Sequence, residues 1–143
     1  MKFWDTSAII PLIVDEQFSE LTRALLEDDR ELAVWWSTPV ECASALARRE
    51  REKTHSSADI AAAFGLLDEL AACWTIVLPA PSIATTARRL VRVHPLRAAD
   101  ALQLAACIGF AGEKALARPI VCLDTRLRDA AAREGLVVLP AAL

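Results

Sequence analysis

Short apolar, β-prone runs alternate along this chain with longer stretches rich in Ala and Leu. That alternation restricts the fold more than any other feature. Strands are predicted at Lys2–Trp4, Leu32–Trp36, Thr75–Leu78, Ile120–Leu123 and Leu136–Leu139, with helical patterns at 6–13, 18–29, 39–53, 57–72, 82–92, 98–111 and 125–134. Strands separated by helices pair in parallel, and the helices cover both faces of the sheet. Runs such as Ile120-Val121-Cys122-Leu123 are apolar without alternation, as burial on both faces requires. The expected class is α/β. The 143 residues are read as a single domain over 1–143, large enough to bury a core without disulfides.

Helix boundaries carry their own signals. Thr38-Pro39-Val40-Glu41 has the pattern of a capping box with Pro at the first helical position. Ser56-Ser57-Ala58-Asp59 suits a helix start, and Gly135 after Arg133-Glu134 suits a helix stop. Arg48, Arg49, Arg51 and Lys53 alternate with Glu50 and Glu52 and read as a solvated helix end.

Composition excludes several classes. Hydrophobic residues at 55% and charged residues at 24% are incompatible with disorder. A net charge of −3 argues against a broadly basic nucleic-acid coat, while leaving room for a local basic rim. Cys42, Cys73, Cys107 and Cys122 form no CxxC pair, and His55 and His94 are the only histidines, so a zinc site is unsupported and the thiols are expected to be reduced and buried. The uncharged run Leu70–Ala87 contains Pro79, Pro81 and three Thr residues, which make it a poor membrane span. The opening residues hold no apolar signal core, and a cytoplasmic protein is expected. A mean hydropathy of +0.32 implies an unusually complete core or apolar surface reserved for a partner.

Four acids stand at predicted helix starts. Asp5 follows the first strand, Glu41 the second and Asp124 the fourth, and helix capping accounts for each of these taken alone. Asp100 is different. Its helix, from Ala98 to Ile108, is apolar almost all round, with Asp100 and Gln103 as polar members on one face. A carboxylate there needs a partner, either Arg97 or a metal ion. In a parallel sheet, helices begin at the carboxyl ends of strands, and ligand sites open at that edge where the strand order reverses. All four acids are placed there. No Lys flanks them, so they would repel one another and raise each other's pKa, and a hard cation such as Mg²⁺ or Mn²⁺ would relieve the repulsion. Such a metal can supply an activated water for attack on phosphorus.

These segments resemble a known family. "FWDTSAIIPLIVDE", "STPVECASALAR", "LRAADALQLA" and "VCLDTRLRDAAAREGL" are similar, in that order, to the four motifs of PIN-domain ribonucleases, and in particular of VapC-type toxins of type II toxin–antitoxin pairs. The likeness runs from Lys2 to about Val138, and its third motif is the most specific. The resemblance implies a three-layer α/β/α PIN-like domain with a five-stranded parallel sheet. It implies a divalent-metal-dependent endoribonuclease that uses Mg²⁺ or Mn²⁺. It places Asp5 and Asp100 as principal metal ligands, Glu41 as a ligand or water-positioning acid, and Asp124 at a second metal or acting through a water. Thr6 and Ser7 match hydroxyl positions that orient a carboxylate or a water. Many relatives have Thr two residues before the fourth acid. Cys122 stands there in this chain, a poorer donor, and weaker anchoring of Asp124 is expected.

RNA binding requires positive charge near the acids. Arg97 and Arg126 are the chief candidates, with Arg88, Arg89, Arg92 and Arg128 beside them. Trp35 and Trp36 read as core or interface, and the two histidines receive no chemical role. The resemblance further implies a homodimer, a VapB-like antitoxin that lies along the toxin's helices, and no membrane partner. Helix 39–47 and the stretch 57–72 are the expected antitoxin groove. Three alternatives compete with the toxin reading. A PIN-fold RNA-processing nuclease outside any toxin–antitoxin pair would carry the same four acids. A phosphotransfer protein fits poorly, because Ser7 stands where a phosphatase needs its second Asp. A non-catalytic RNA- or protein-binding module would have no need of Asp100.

Overall fold

Phe3 and Trp4 are neighbours in sequence, both fully buried, and they point into two different cores. That arrangement requires a strand covered on both faces, and β1 (Lys2–Trp4) is the centre of the sheet. The structure, a computed structural model, describes residues 1–112 and 118–143. Around β1 stand β2 (Leu32–Trp35), β3 (Thr75–Val77), β4 (Ile120–Val121) and β5 (Val138–Leu139), in the order β3-β2-β1-β4-β5. All pairs are parallel, with Phe3 opposite both Ala33 and Ile120. The described helices are α1 (Thr6–Ile13), α2 (Ser19–Asp28), α3 (Thr38–Arg51), α4 (Ser57–Ala71), α5 (Pro81–Val93), α6 (Ala98–Ala111) and α7 (Thr125–Arg133). The predicted elements are all present, and the architecture is the expected three-layer α/β/α.

Side chains alternate between faces along each strand, as the pleat demands. Phe3, Ala33, Trp35, Ile120 and Cys122 face α5, α6 and α7. Trp4, Leu32, Val34 and Val121 face α1, α3 and α4, with Leu25 and Leu26 of α2 packed at the margin. The chain adds β2 and then β3 on one side of β1 and returns to place β4 on the other. The strand order therefore reverses between β1 and β4, and a crevice opens at their carboxyl ends.

Two local expectations are corrected. The capping box at Thr38–Glu41 does not form. Ser37 precedes the helix, Thr38 is its first residue and is fully buried, and Glu41 turns its carboxylate away to other partners. Trp36 lies past the end of β2 and is 57% exposed, whereas Trp35 is core. The remaining caps are as expected. Ser56 accepts from the Asp59 amide at the start of α4. Gly135, at φ +83°, ends α7 in a Schellman turn, with its amide bonded to Ala132 O and that of Leu136 to Ala131 O. Of the four thiols, Cys42, Cys107 and Cys122 are buried, but Cys73 is exposed. Burial pushes the Cys42 thiol up to about 12 and raises Cys107 and Cys122 as well, so these remain protonated.

The far ends of α5 and α7 are clasped together. Glu134 accepts from both terminal nitrogens of Arg89 and pairs with the buried His94 at 2.8 Å. Arg89 hydrogen bonding, with His94 adding, holds the Glu134 carboxyl down at about 2, against a usual 4.5. A depressed acid stabilises the fold above its unfolded pKa, and that contribution is lost as pH falls through the folded value. Glu134→Gln is therefore expected to lower the urea midpoint at pH 7. The gap to wild type should close between pH 4.5 and about 2, as followed by circular dichroism.

Candidate active site

The crevice at the carboxyl edge is a cleft of about 590 Å³ lined by Asp5, Glu41, Asp100 and Asp124. The acids come from four separate segments: the ends of β1 and β4, and the first turns of α3 and α6. Thr6, Ser7, Arg48, Arg97 and the Glu16–Arg49 pair complete its walls.

Asp5 and Asp124 are helix N-caps as well as cleft residues. Asp5 Oδ2 accepts from the Ser7 amide at 2.9 Å and from the Ser7 hydroxyl. Asp124 Oδ1 accepts from the Leu127 amide at 2.9 Å. Ser7 joins the two, since its Oγ also accepts from the amides of Leu123 and Asp124, at 2.9 and 3.2 Å. The Cys122 thiol lies 3.7 Å from Asp5 Oδ2 and 3.6 Å from the Asp124 carbonyl. The Cys122 side chain thus faces Asp5, and the Asp124 carboxylate is held by its own helix.

Glu41 is gripped from three elements. Ser37 Oγ donates to Oε1, while Thr6 Oγ1, at 2.8 Å, and Gln103 Nε2, at 2.9 Å, donate to Oε2. Gln103 is 1% exposed, and its Nε2 also reaches Thr6 Oγ1 and Thr38 Oγ1. Asp100, three residues earlier on the same face, is half-buried at the mouth of α6 rather than sunk in the core.

Among the described residues, none of the four acids takes part in an ion pair. Arg97 in particular does not pair with Asp100. Burial pushes the Asp5 carboxyl up to about 6, against the Ser7 hydrogen bonds and with Glu41 and Asp100 adding to the rise. Asp100 is raised by burial and then by Asp124, against the Arg97 amide and the charges of Arg126 and Arg97. No three His, Cys, Asp or Glu side chains among the described residues are gathered closely enough to cage a metal ion. The expected set of Asp5, Glu41, Asp100 and Asp124 is an open one, lining a shared cleft.

The basic residues are redistributed. Arg89 is committed to Glu134, and Arg128 donates to the carbonyls of Cys122 and Pro140, so neither serves as a free rim cation. Arg97 lines the cleft, and Arg126 is exposed beside Asp129 on the outer face of α7. Arg48 was missed as a cleft residue. Glu41, Ser44, Ala45 and Arg48 form one stripe of α3 that faces the acids. The spacing was readable, but a run of charges at a helix end looks the same when it is merely solvated.

The chain belongs to the PIN domain family, whose model matches residues 2–133. Its fold is similar to PAE2754 from Pyrobaculum aerophilum, with a TM-score of 0.67 and 18% identity over 96% of this chain and 83% of the other. It is also similar to a toxin–antitoxin complex from Klebsiella pneumoniae, at 0.64 and 17%, and to FitAcB from Neisseria gonorrhoeae, at 0.64 and 16%, each with 96% of both chains covered. No curated protein matches the chain.

The raised pKa of Asp5 makes its charge a cost to the metal-free fold. Its folded value, about 6, lies above the usual 3.8, so the cost is full above pH 6 and vanishes below about 4. In EDTA at pH 7.5, Asp5→Asn is expected to raise unfolding free energy by about 2–3 kcal/mol. The gain should disappear on acidification to pH 4, as measured by urea titration. Asn keeps an acceptor for Ser7, so the cap survives.

Proposed function

We propose that this chain is a divalent-metal-dependent endoribonuclease, the toxin of a type II toxin–antitoxin pair, with its single PIN domain spanning 1–143. The observation that carries the reading is the convergence of four carboxylates from four segments on one cleft, none of them ion-paired among the described residues.

The donor set suits a hard cation. Asp5 has one carboxylate oxygen committed to Ser7 and the other without a side-chain partner among the described residues. Mg²⁺ takes one or two carboxylates and retains waters, so it asks for an open set and no closed cage. Asp5 and Asp100 are the principal residues that would hold it, with Glu41 and Asp124 completing the ring. When bound, Mg²⁺ or Mn²⁺ supplies Lewis acidity for phosphodiester hydrolysis. The protein's own part is to hold the acids oriented towards the cleft. Ser7 fixes Asp5, while Thr6 and Ser37 fix Glu41.

The RNA backbone would be met by Arg97 and Arg48 on the cleft walls and by Arg126 outside. A VapB-like antitoxin is the proposed protein partner, since one similar structure is a toxin–antitoxin complex. An apolar groove of about 410 Å³ between α2 and α4, lined by Leu26, Leu66 and Leu70 and edged by Arg23, Arg30 and Glu69, suits an amphipathic segment. It uses the 57–72 stretch expected from sequence, and the 39–47 helix, expected with it, borders the acid cleft. Trp36, Val40 and Leu78 are exposed apolar residues suited to a homodimer contact. No helix of the described residues is long and apolar enough to cross a membrane.

Purified protein is expected to cut single-stranded RNA with Mn²⁺ and to stop in EDTA. Asp100→Asn should lower the rate more than about 100-fold, beyond the 10–100-fold typical of a partner that only supports a ligand. Unchanged cleavage by Asp100→Asn would remove the assignment. Metal-free Asp100→Asn should be at least as stable as wild type, because burial and then repulsion from Asp124 disfavour the charge it removes.

A further inference from the structure

Gln103 is a polar side chain on a largely apolar helix, one turn after Asp100 on the same face, and it is 1% exposed. Its partners are all residues of the acid cleft or its supports: Glu41 Oε2 at 2.9 Å, Thr6 Oγ1 at 3.1 Å and Thr38 Oγ1 at 3.2 Å. An ionised carboxylate only accepts, so the amide must turn its NH₂ towards Glu41. Thr6 gives its own hydrogen to Glu41, which leaves its oxygen free to accept from Gln103. The consequence of this orientation is that Gln103 Oε1 is buried with no hydrogen-bond partner among the described residues. A Met or Leu would remove that orphaned acceptor, but it would leave the fully buried Thr38 hydroxyl without a hydrogen-bond partner among the described residues and take one donor from Glu41. What the Gln side chain secures, with its own oxygen left unpaired, is the position of Glu41 and its hydroxyl supports.

We infer that Gln103 is a positioning residue that locks the Glu41 carboxylate towards the cleft and links it rigidly to Asp100, one helical turn earlier on α6. The inference rests on the metal-dependent reading above. Glu41 has a long side chain at an open helix start, where it would otherwise swing between rotamers. With Ser37 on one oxygen and Thr6 plus Gln103 on the other, both oxygens are held. Because Asp100 and Gln103 share a helix face, α6 carries one acid and a donor to another.

The test is Mn²⁺ affinity, measured by calorimetry on the full chain for wild type, Gln103→Met, Glu41→Ala and the double variant. Gln103→Met is expected to weaken Mn²⁺ binding about 10-fold or more, in protein that circular dichroism shows to be folded. In the Glu41→Ala background the same change should cost less than about 2-fold, because its route is gone. In RNA cleavage, kcat should fall while KM for RNA stays. If Met at 103 prevents folding, Gln103→Leu gives the same comparison. Wild-type Mn²⁺ affinity in the apolar variants, or an equal loss with and without Glu41, would overturn the inference alone. A wild-type protein that holds no Mn²⁺ would remove the nuclease reading and the inference together.

Discussion

The Ser7 hydroxyl meets the Leu123 amide, 116 residues further along the chain, and so bridges the ends of two strands. It donates to Asp5 and accepts from two successive amides, those of Leu123 and Asp124. Those strand ends flank the point where the sheet order reverses, so α1 and α7 both start from this junction. The direction of Asp5 and the position of Asp124 follow from it. One small polar side chain thus supports the burial of a carboxylate that desolvation alone would strongly disfavour. Without the bridge, the acceptor at the end of β1 and the amides after β4 would each lose a hydrogen-bond partner.

Charge is handled in two different ways in this molecule. Where it serves the fold it is paired, as in Lys2 with Asp28, Arg49 with Glu16, and Glu134 with Arg89 and His94. In the cleft, hydroxyls, amides and one Gln side chain orient the four acids, and none of the four is ion-paired among the described residues. Neutral donors fix direction and leave the negative charge in place, which is the condition a bound cation needs. Burial, with the neighbouring carboxylates adding, raises the pKa values of Asp5 and Asp100.

Much of the architecture was legible because it depends on periodicity. The apolar runs around Phe3, Val34 and Ile120 place their strands, and the long amphipathic stretches between them force parallel pairing. The acids were legible because strand–acid–helix junctions repeat. What failed to read was competition for a single group. Thr38 and Glu41 satisfy the capping-box pattern, but Gln103 and Thr6 arrive from distant segments and take the carboxylate. Arg48 and Arg128 sit in similar charge-rich helical sequence, yet one lines the cleft and the other is tied to two carbonyls. Trp35 and Trp36 are one residue apart and end in opposite environments, because the strand stops between them.

The sequence by itself determined the element order, the parallel sheet and the four carboxylates at its carboxyl edge, because those follow from local apolar pattern and from the chemistry of each residue. Only the tertiary structure decided that Ser7 joins Asp5 to Asp124, that Gln103 faces Glu41, and which arginines remain available. Those outcomes depend on which side chains from remote segments reach the same few ångströms. Burial then makes the choice of partner decisive, since a buried polar atom without one carries its full desolvation cost.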